Sequence, residues 1–177
     1  TVHRSRAVTS FPAAFQLVIA ANPCPCGMWG QLGEECKCTP YQRVRYLAKL
    51  SGPLMDRIDL QCQVGRPKIT DLTTTEVPES SKTVRERVLA ARQRAQRRWK
   101  DQGVVLNARI PSRVLKHTLD AATKERLDRL VGAGRISMRG AERICRVAWT
   151  VADLHGRDKP SREDFGLAYS LKNSQRP

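Results

Sequence analysis

The residues with the most specific chemical potential are four cysteines in one short stretch. Cys24-Pro25-Cys26 and Cys36-Lys37-Cys38 form two Cys-x-Cys pairs with nine residues between them. Four thiolates can close a tetrahedral site around Zn2+, and a full set leaves no open position for water, so a metal held this way is structural. Gly27, Gly30 and Gly33 supply the turns between the pairs. Each pair is one residue tighter than the common Cys-x-x-Cys knuckle, and a disulfide pair or a reduced thiol loop are the competing readings. Cys62 and Cys145 are read as core residues, the first on a strand and the second on the apolar stripe of a helix.

Two arginines come next. The segment SGPLMDRIDL, residues 51–60, places Arg57 at the end of a short helical turn, flanked by Asp56 and Asp59. A guanidinium projecting from such a turn can bind phosphate bidentately. An intramolecular Arg–Asp pair is the plainer alternative. Ser137-Met138-Arg139-Gly140 opens a helix with an arginine in its first turn, which opposes the helix dipole unless an anion lies nearby. Arg139 is thus a candidate phosphate ligand at a helix N-terminus, with a solvated surface arginine as the alternative.

A third set lies on the helix RERVLAARQRAQRRWK. Arg87, Arg94, Arg98 and Lys100 are candidates for tracking a nucleic-acid backbone, with Trp99 as a stacking platform. A solvated charged face, partly paired with acids, is the competing reading. No G-x-x-x-x-G-K-[ST] phosphate loop occurs, and no apolar strand ends in paired carboxylates suited to Mg2+. His3, His117 and His155 are scattered without a nucleophile to serve.

These groups must be held by recognisable elements. The apolar run Phe15 to Ala21 and the alternating run Ile58 to Val64 read as strands, with a Gly-, Pro- and Cys-rich loop from 22 to 40 and a basic helix near 41–50 between them. Two strands are too few for a stable sheet, so residues 1–64 are expected to complete a larger one. Residues 65–81 lack a helical period and read as a linker. From 82 to 177 the period becomes 3.6. Thr83 and Glu86 form a capping box for a long helix with Val84, Val88, Ala91 and Ala95 inward. Further helices are expected at 111–119, at 121–131 (stopped by Gly132-Ala133-Gly134), from Ser137, and from Ser161 as N-cap. Ala141, Ile144, Cys145, Ala148, Val151 and Ala152 form the buried stripe of the fourth. The fold class is α/β plus all-α.

Composition sets the outer bounds. Among 177 residues, 32 Lys and Arg face 17 acids for a net charge of +15, which favours a polyanionic partner through counterion release. Aromatics are only 5%, so the core is expected to be aliphatic. No run is long enough to span a membrane, and no signal peptide is evident, so a reducing cytoplasm is expected. The first residue is not Met, and a longer polypeptide is expected.

Taken together, FPAAFQLVIAANPCPCG, the second Cys-x-Cys, RYLAKLSGPLMDRIDL and ISMRGAERICRVAWTVADL resemble the YifB/ComM family of bacterial, magnesium-chelatase-like AAA+ ATPases over nearly the whole chain. The resemblance implies the C-terminal part of a AAA+ nucleotide-binding core followed by a helical lid bundle. It implies sensor 1 at Asn22, an arginine finger at Arg57 serving a neighbouring subunit, and sensor 2 at Arg139 supported by Arg143. ATP and Mg2+ are the implied cofactors of the full-length protein, and ATP hydrolysis is not expected of this segment alone. A hexameric, DNA-acting motor for branch migration in recombination and natural transformation is the implied function. The alternatives are a motor subunit of a metal chelatase and a non-enzymatic zinc and nucleic-acid-binding module.

Overall fold

The computed structural model describes residues 1–13, 15–30, 35–65 and 77–173. Gly33 and most of the expected linker, 66–76, lie outside the described residues. The chain divides into two compact units, Thr1–Lys49 and Leu50–Pro177. Residues 50–64, grouped in the sequence reading with the first domain, therefore cluster with the helical unit.

The first unit opens with a hairpin that lies outside the expected strands. Strands β1 (Val2–Arg4) and β2 (Ala7–Thr9) pair antiparallel with His3 opposite Val8. The expected strand at Phe15–Ala21 does not form. Its described residues are irregular, with Phe15 and Val18 70% and 83% exposed. A strand needs neighbouring backbone for its N–H and C=O groups, and no described segment supplies it. Helix α1 (Pro40–Leu47) is set by chemistry at its start. Thr39 Oγ1 accepts the Gln42 amide at 3.2 Å while Gln42 Oε1 accepts the Thr39 amide at 2.9 Å, and Pro40 stands where no amide is missed.

The second unit begins with α2 (Gly52–Arg57), capped by Ser51 Oγ accepting the Leu54 amide. The expected strand from Ile58 is also absent. The backbone leaves α2 extended, and the Gln61 N–H bonds the Leu171 C=O at 2.7 Å. Helix α3 (Ser81–Arg98) starts earlier than the sequence suggests. Its N-cap is Ser80, whose hydroxyl accepts the Thr83 amide at 3.1 Å, so Thr83 lies inside the first turn. Helices α4 (Ser112–His117), α5 (Ala121–Gly132), α6 (Met138–Leu154) and α7 (Arg162–Asn173) follow. Asp120 caps α5 through the Thr123 amide, and Gly134 (φ +64°) ends the turn beyond it.

Helix α6 is the axis of this unit. The stripe read from the sequence is buried, and α3 and α7 pack against it. The centre is more aromatic than expected. Trp99 and Trp149 meet edge to face with centroids 5.3 Å apart, surrounded by Ile110, Leu115, Leu127, Ile136 and Ala168. Below them lies a buried polar network. Arg98 donates to both oxygens of Asp153 at 2.5 and 3.1 Å, and its guanidinium stacks 4.2 Å from the Trp149 ring. Asn107 accepts from Trp99 Nε1 and donates to Asp153 Oδ2, so every member has a partner. No helix among the described residues is long and apolar enough to cross a membrane.

Candidate functional site

The arginine sites of the second unit are built by the interplay of α2 with α6 and α7. Arg57 is the last residue of α2 and stays exposed; its Nη1 donates to Pro53 C=O at 2.8 Å, within its own helix. The flanking acids face elsewhere. Asp56 Oδ1 accepts from the Ser137 hydroxyl at 2.8 Å, and Asp56 Oδ2 lies 3.6 Å from Arg139 Nη1. Asp59 pairs with Arg143, one turn further along α6. The intramolecular Arg–Asp pairing expected as the alternative thus exists, but with Arg139 and Arg143 rather than Arg57.

This arrangement answers a question raised by the sequence. An arginine in the first turn of α6 calls for an anion, and Asp56 supplies it. Ser137 links the two, accepting the Gly140 amide as N-cap while donating to Asp56. Lys172 completes the dock from α7. Its buried ammonium donates to the carbonyls of Met55, Asp56 and Ile58 at 3.0, 2.9 and 2.5 Å, meeting the negative end of the α2 dipole. Lys172 is not among the site residues expected from the sequence. Nothing local marks it, since its role depends on residues more than a hundred positions away. Arg139 remains half exposed, and Arg143 Nε is buried without a hydrogen-bond partner among the described residues.

In the first unit the four cysteines converge. Cys24 Sγ lies 3.4 Å from Cys26 Sγ and 3.7 Å from Cys36 Sγ, Cys26 and Cys36 are 3.6 Å apart, and all four sulfurs fall within 4.8 Å. The Met28 amide, then Cys24, lower Cys26 to about 6. The Cys26 amide favours a thiolate at Cys38, yet burial and the three neighbouring sulfurs push Cys38 up to about 12. Four thiolates this close repel, and the last proton is held hard. Asn22 is exposed just before this cluster, its carboxamide over Gly27, where an added Cβ would lie 3.8 Å from Nδ2.

The outer cysteines divide. Cys145 is buried as expected, its thiol pushed up to about 12 by desolvation. Cys62 is exposed, because the strand that would bury it does not form. The basic helix is also rearranged. Trp99 is buried and cannot stack on a base, and Arg98 is committed to Asp153. Arg94 Nη1 donates to Asp153 C=O at 2.8 Å, and Arg87 holds both oxygens of Glu79. The signal was present: Arg94 and Arg98 each follow a buried alanine, Ala91 and Ala95, by three residues, at the edge of the inward stripe. Arg85, Arg92, Arg97 and Lys100 remain exposed.

Residues 1–72 match the family described as magnesium chelatase, subunit ChlI, and residues 78–172 match magnesium chelatase, subunit ChlI C-terminal. The chain belongs to this magnesium chelatase subunit ChlI family. It is 38% identical over 173 residues to YifB of Escherichia coli K12, covering 96% of this chain and 33% of that protein. It is 37% identical over 157 residues to the competence protein ComM of Haemophilus influenzae, covering 88% and 30% respectively. An uncharacterized protein of Mycobacterium tuberculosis H37Rv is 38% identical over 97% of this chain and 34% of its own length. The chain thus spans about a third of the curated relatives it matches.

Proposed function

We propose that this chain is the C-terminal part of a cytoplasmic, hexameric AAA+ ATPase that drives DNA branch migration in recombination and natural transformation. The observation that carries the phosphate-sensing part is the division of labour in SGPLMDRIDL. Asp56 and Asp59 grip α6, while Arg57 between them stays exposed and free of both acids. An exposed guanidinium of this kind, held to its own turn by the Pro53 carbonyl, suits a γ-phosphate held by a neighbouring subunit. Arg139, with Arg143 beside it, would meet phosphate in its own subunit, and Asn22 would orient the attacking water. The residues that hold Mg2+ and cradle ATP are not in this sequence, so ATP and Mg2+ belong to the full-length protein. Zn2+ at the four cysteines is part of the same reading.

Asp56 gives the two arginines a physical link, since it adjoins Arg57 in sequence and pairs with Arg139 in space. Phosphate at Arg139 competes with Asp56 and so loads the turn that carries Arg57. The apolar run 15–21, exposed here, fits a strand that the remaining AAA+ core would cover. DNA as the substrate rests on the charge of +15 and on the exposed Arg85, Arg92, Arg97 and Lys100. ComM, named for competence, is consistent with it.

The test is ATP hydrolysis by full-length Arg57→Ala protein mixed with a subunit unable to bind ATP. Each alone is expected to be slow, the first by about 10³–10⁵. Mixed rings regain turnover if Arg57 acts across the interface, and absence of recovery refutes that role. A second reading, a motor subunit of a metal chelatase, is favoured by the family description. It predicts nucleotide-dependent binding to a large chelatase subunit, with no salt-sensitive affinity for DNA.

A further inference from the structure

We infer that Zn2+ bound by Cys24, Cys26, Cys36 and Cys38 is the folding centre of residues 22–30 and 35–47, and that this ion fixes Asn22 on one side and α1 on the other. The sulfur positions support it first. Zn–S bonds of about 2.3 Å in a tetrahedron give S···S edges of about 3.8 Å; the sulfurs of Cys24, Cys26 and Cys36 are 3.4, 3.6 and 3.7 Å apart, and all four lie within 4.8 Å. A disulfide would need about 2.05 Å between two of these sulfurs, and all four cysteines are free. A soft, four-thiolate set selects Zn2+ over the hard cations that nucleotide sites use.

Burial supports it second. In Thr1–Lys49, Cys24 at 0% exposure is the one buried residue among those described. A stretch this short without an apolar core ordinarily needs a cross-link or metal to hold a fold, and binding free energy then becomes folding free energy. The groups around the sulfurs also fit a site carrying excess negative charge. The Trp29 amide donates to Cys24 Sγ at 3.4 Å, and Arg43 Nη1 lies 3.9 Å from Cys36 Sγ with its guanidinium 5.5 Å from the Trp29 ring centre. Such outer contacts orient ligands and offset the thiolate charge.

The two consequences follow from chain connectivity. Cys38 directly precedes Thr39, the N-cap of α1, so the last ligand sets where the helix starts. At the other end, Gly27 N–H bonds Cys24 C=O at 3.0 Å, and Gly27 takes φ +79°. A Cβ added at Gly27 would lie 3.8 Å from the Asn22 Nδ2, so the turn faces the Asn22 carboxamide, and Pro23 alone separates Asn22 from the first ligand. With four protein ligands the ion has no open position, so its role is positional. The step concerning Asn22 rests on the reading of that residue as the one that orients water.

The test begins with the 177-residue chain purified under reducing conditions from zinc-replete cells. Mass spectrometry of metal content is expected to give about one Zn2+ per chain, falling below about a tenth in Cys36→Ser with Cys38→Ser. Cobalt exchanged into the site is expected to show thiolate charge-transfer bands and intense tetrahedral d–d bands. Removing the metal is expected to raise amide exchange across 22–30 and 35–47 by about tenfold or more while leaving α3–α7 unchanged. Substoichiometric zinc after reconstitution, an octahedral cobalt spectrum, or unchanged exchange across 22–30 and 35–47 overturns the site. None of these readouts depends on ATP. In the full-length ATPase, metal removal is expected to lower kcat with KM for ATP retained. An unchanged kcat overturns the link to Asn22 even where the metal binds.

Discussion

Replacing Lys172 with Met tests whether the α2 turn is truly carried by the helical unit. The ammonium donates to three carbonyls at the end of α2 and is only 5% exposed. Hydrogen bonds to a charged group contribute about 1.5–3 kcal/mol each, so three sum to about 4.5–9 kcal/mol before costs. Desolvating the ammonium costs several kcal/mol, which leaves a net contribution of about 2–4 kcal/mol. Met keeps most of the stem and removes the charge, so packing changes little. Urea unfolding of the 177-residue chain, followed by fluorescence of the buried Trp99–Trp149 pair, is expected to show that loss. Amide exchange is expected to rise across residues 54–61, the segment that Lys172 and the Gln61–Leu171 bond attach to α7. Lys172→Arg, which retains a cation, is expected to recover part of both. A stability change under about 0.5 kcal/mol with unchanged exchange at 54–61 would refute the reasoning.

Three other outcomes follow from the same contacts. Asp153→Asn leaves Arg98 without its buried carboxylate and is expected to cost about 3–5 kcal/mol in urea unfolding, far more than Arg97→Gln on the exposed face. Asp164 is buried, which alone would raise its pKa, but the Ser161 amide, Arg157 and His155 reverse this and lower it. Its contribution is therefore full above the unfolded carboxylate value of about 3.9 and lost as pH falls through the lower folded value. The stability gap between wild type and Asp164→Asn, measured by urea titration from neutral pH downward, is expected to close over that acid range; a gap independent of pH refutes the pairing. Asp56→Ala frees Arg139, and inorganic phosphate or pyrophosphate is expected to protect α6 amides in this variant more than in wild type, with equal protection counting against Asp56 as the competing anion.

Much of the second unit was legible because its signals are local. The stripe of α6 repeats at helical spacing, Gly134 ends the turn after α5, and Ser137 and Ser161 hold N-terminal amides as their types suggest. The α3 start shifted by three residues because Ser80 and Thr83 are both competent caps, and only one backbone path is taken. Phe15–Ala21 and Ile58–Val64 misled because apolar pattern reports that a segment can pair, not that a partner is at hand.

By itself, the sequence determined that four thiols fall within reach of one ion, that an arginine ends a capped turn before an extended segment, and that α6 opens with an unfavourable arginine. Those properties depend on residue type and spacing along a few turns of chain. Tertiary structure decided which charge answers which. Asp56 and Asp59 were drawn to Arg139 and Arg143, Lys172 to the end of α2, and Arg98 inward to Asp153, leaving Arg57 exposed. Charged side chains are long and their attractions are not directional along the sequence. Their partners are fixed only when packing of α3, α6 and α7 brings distant segments within hydrogen-bonding distance.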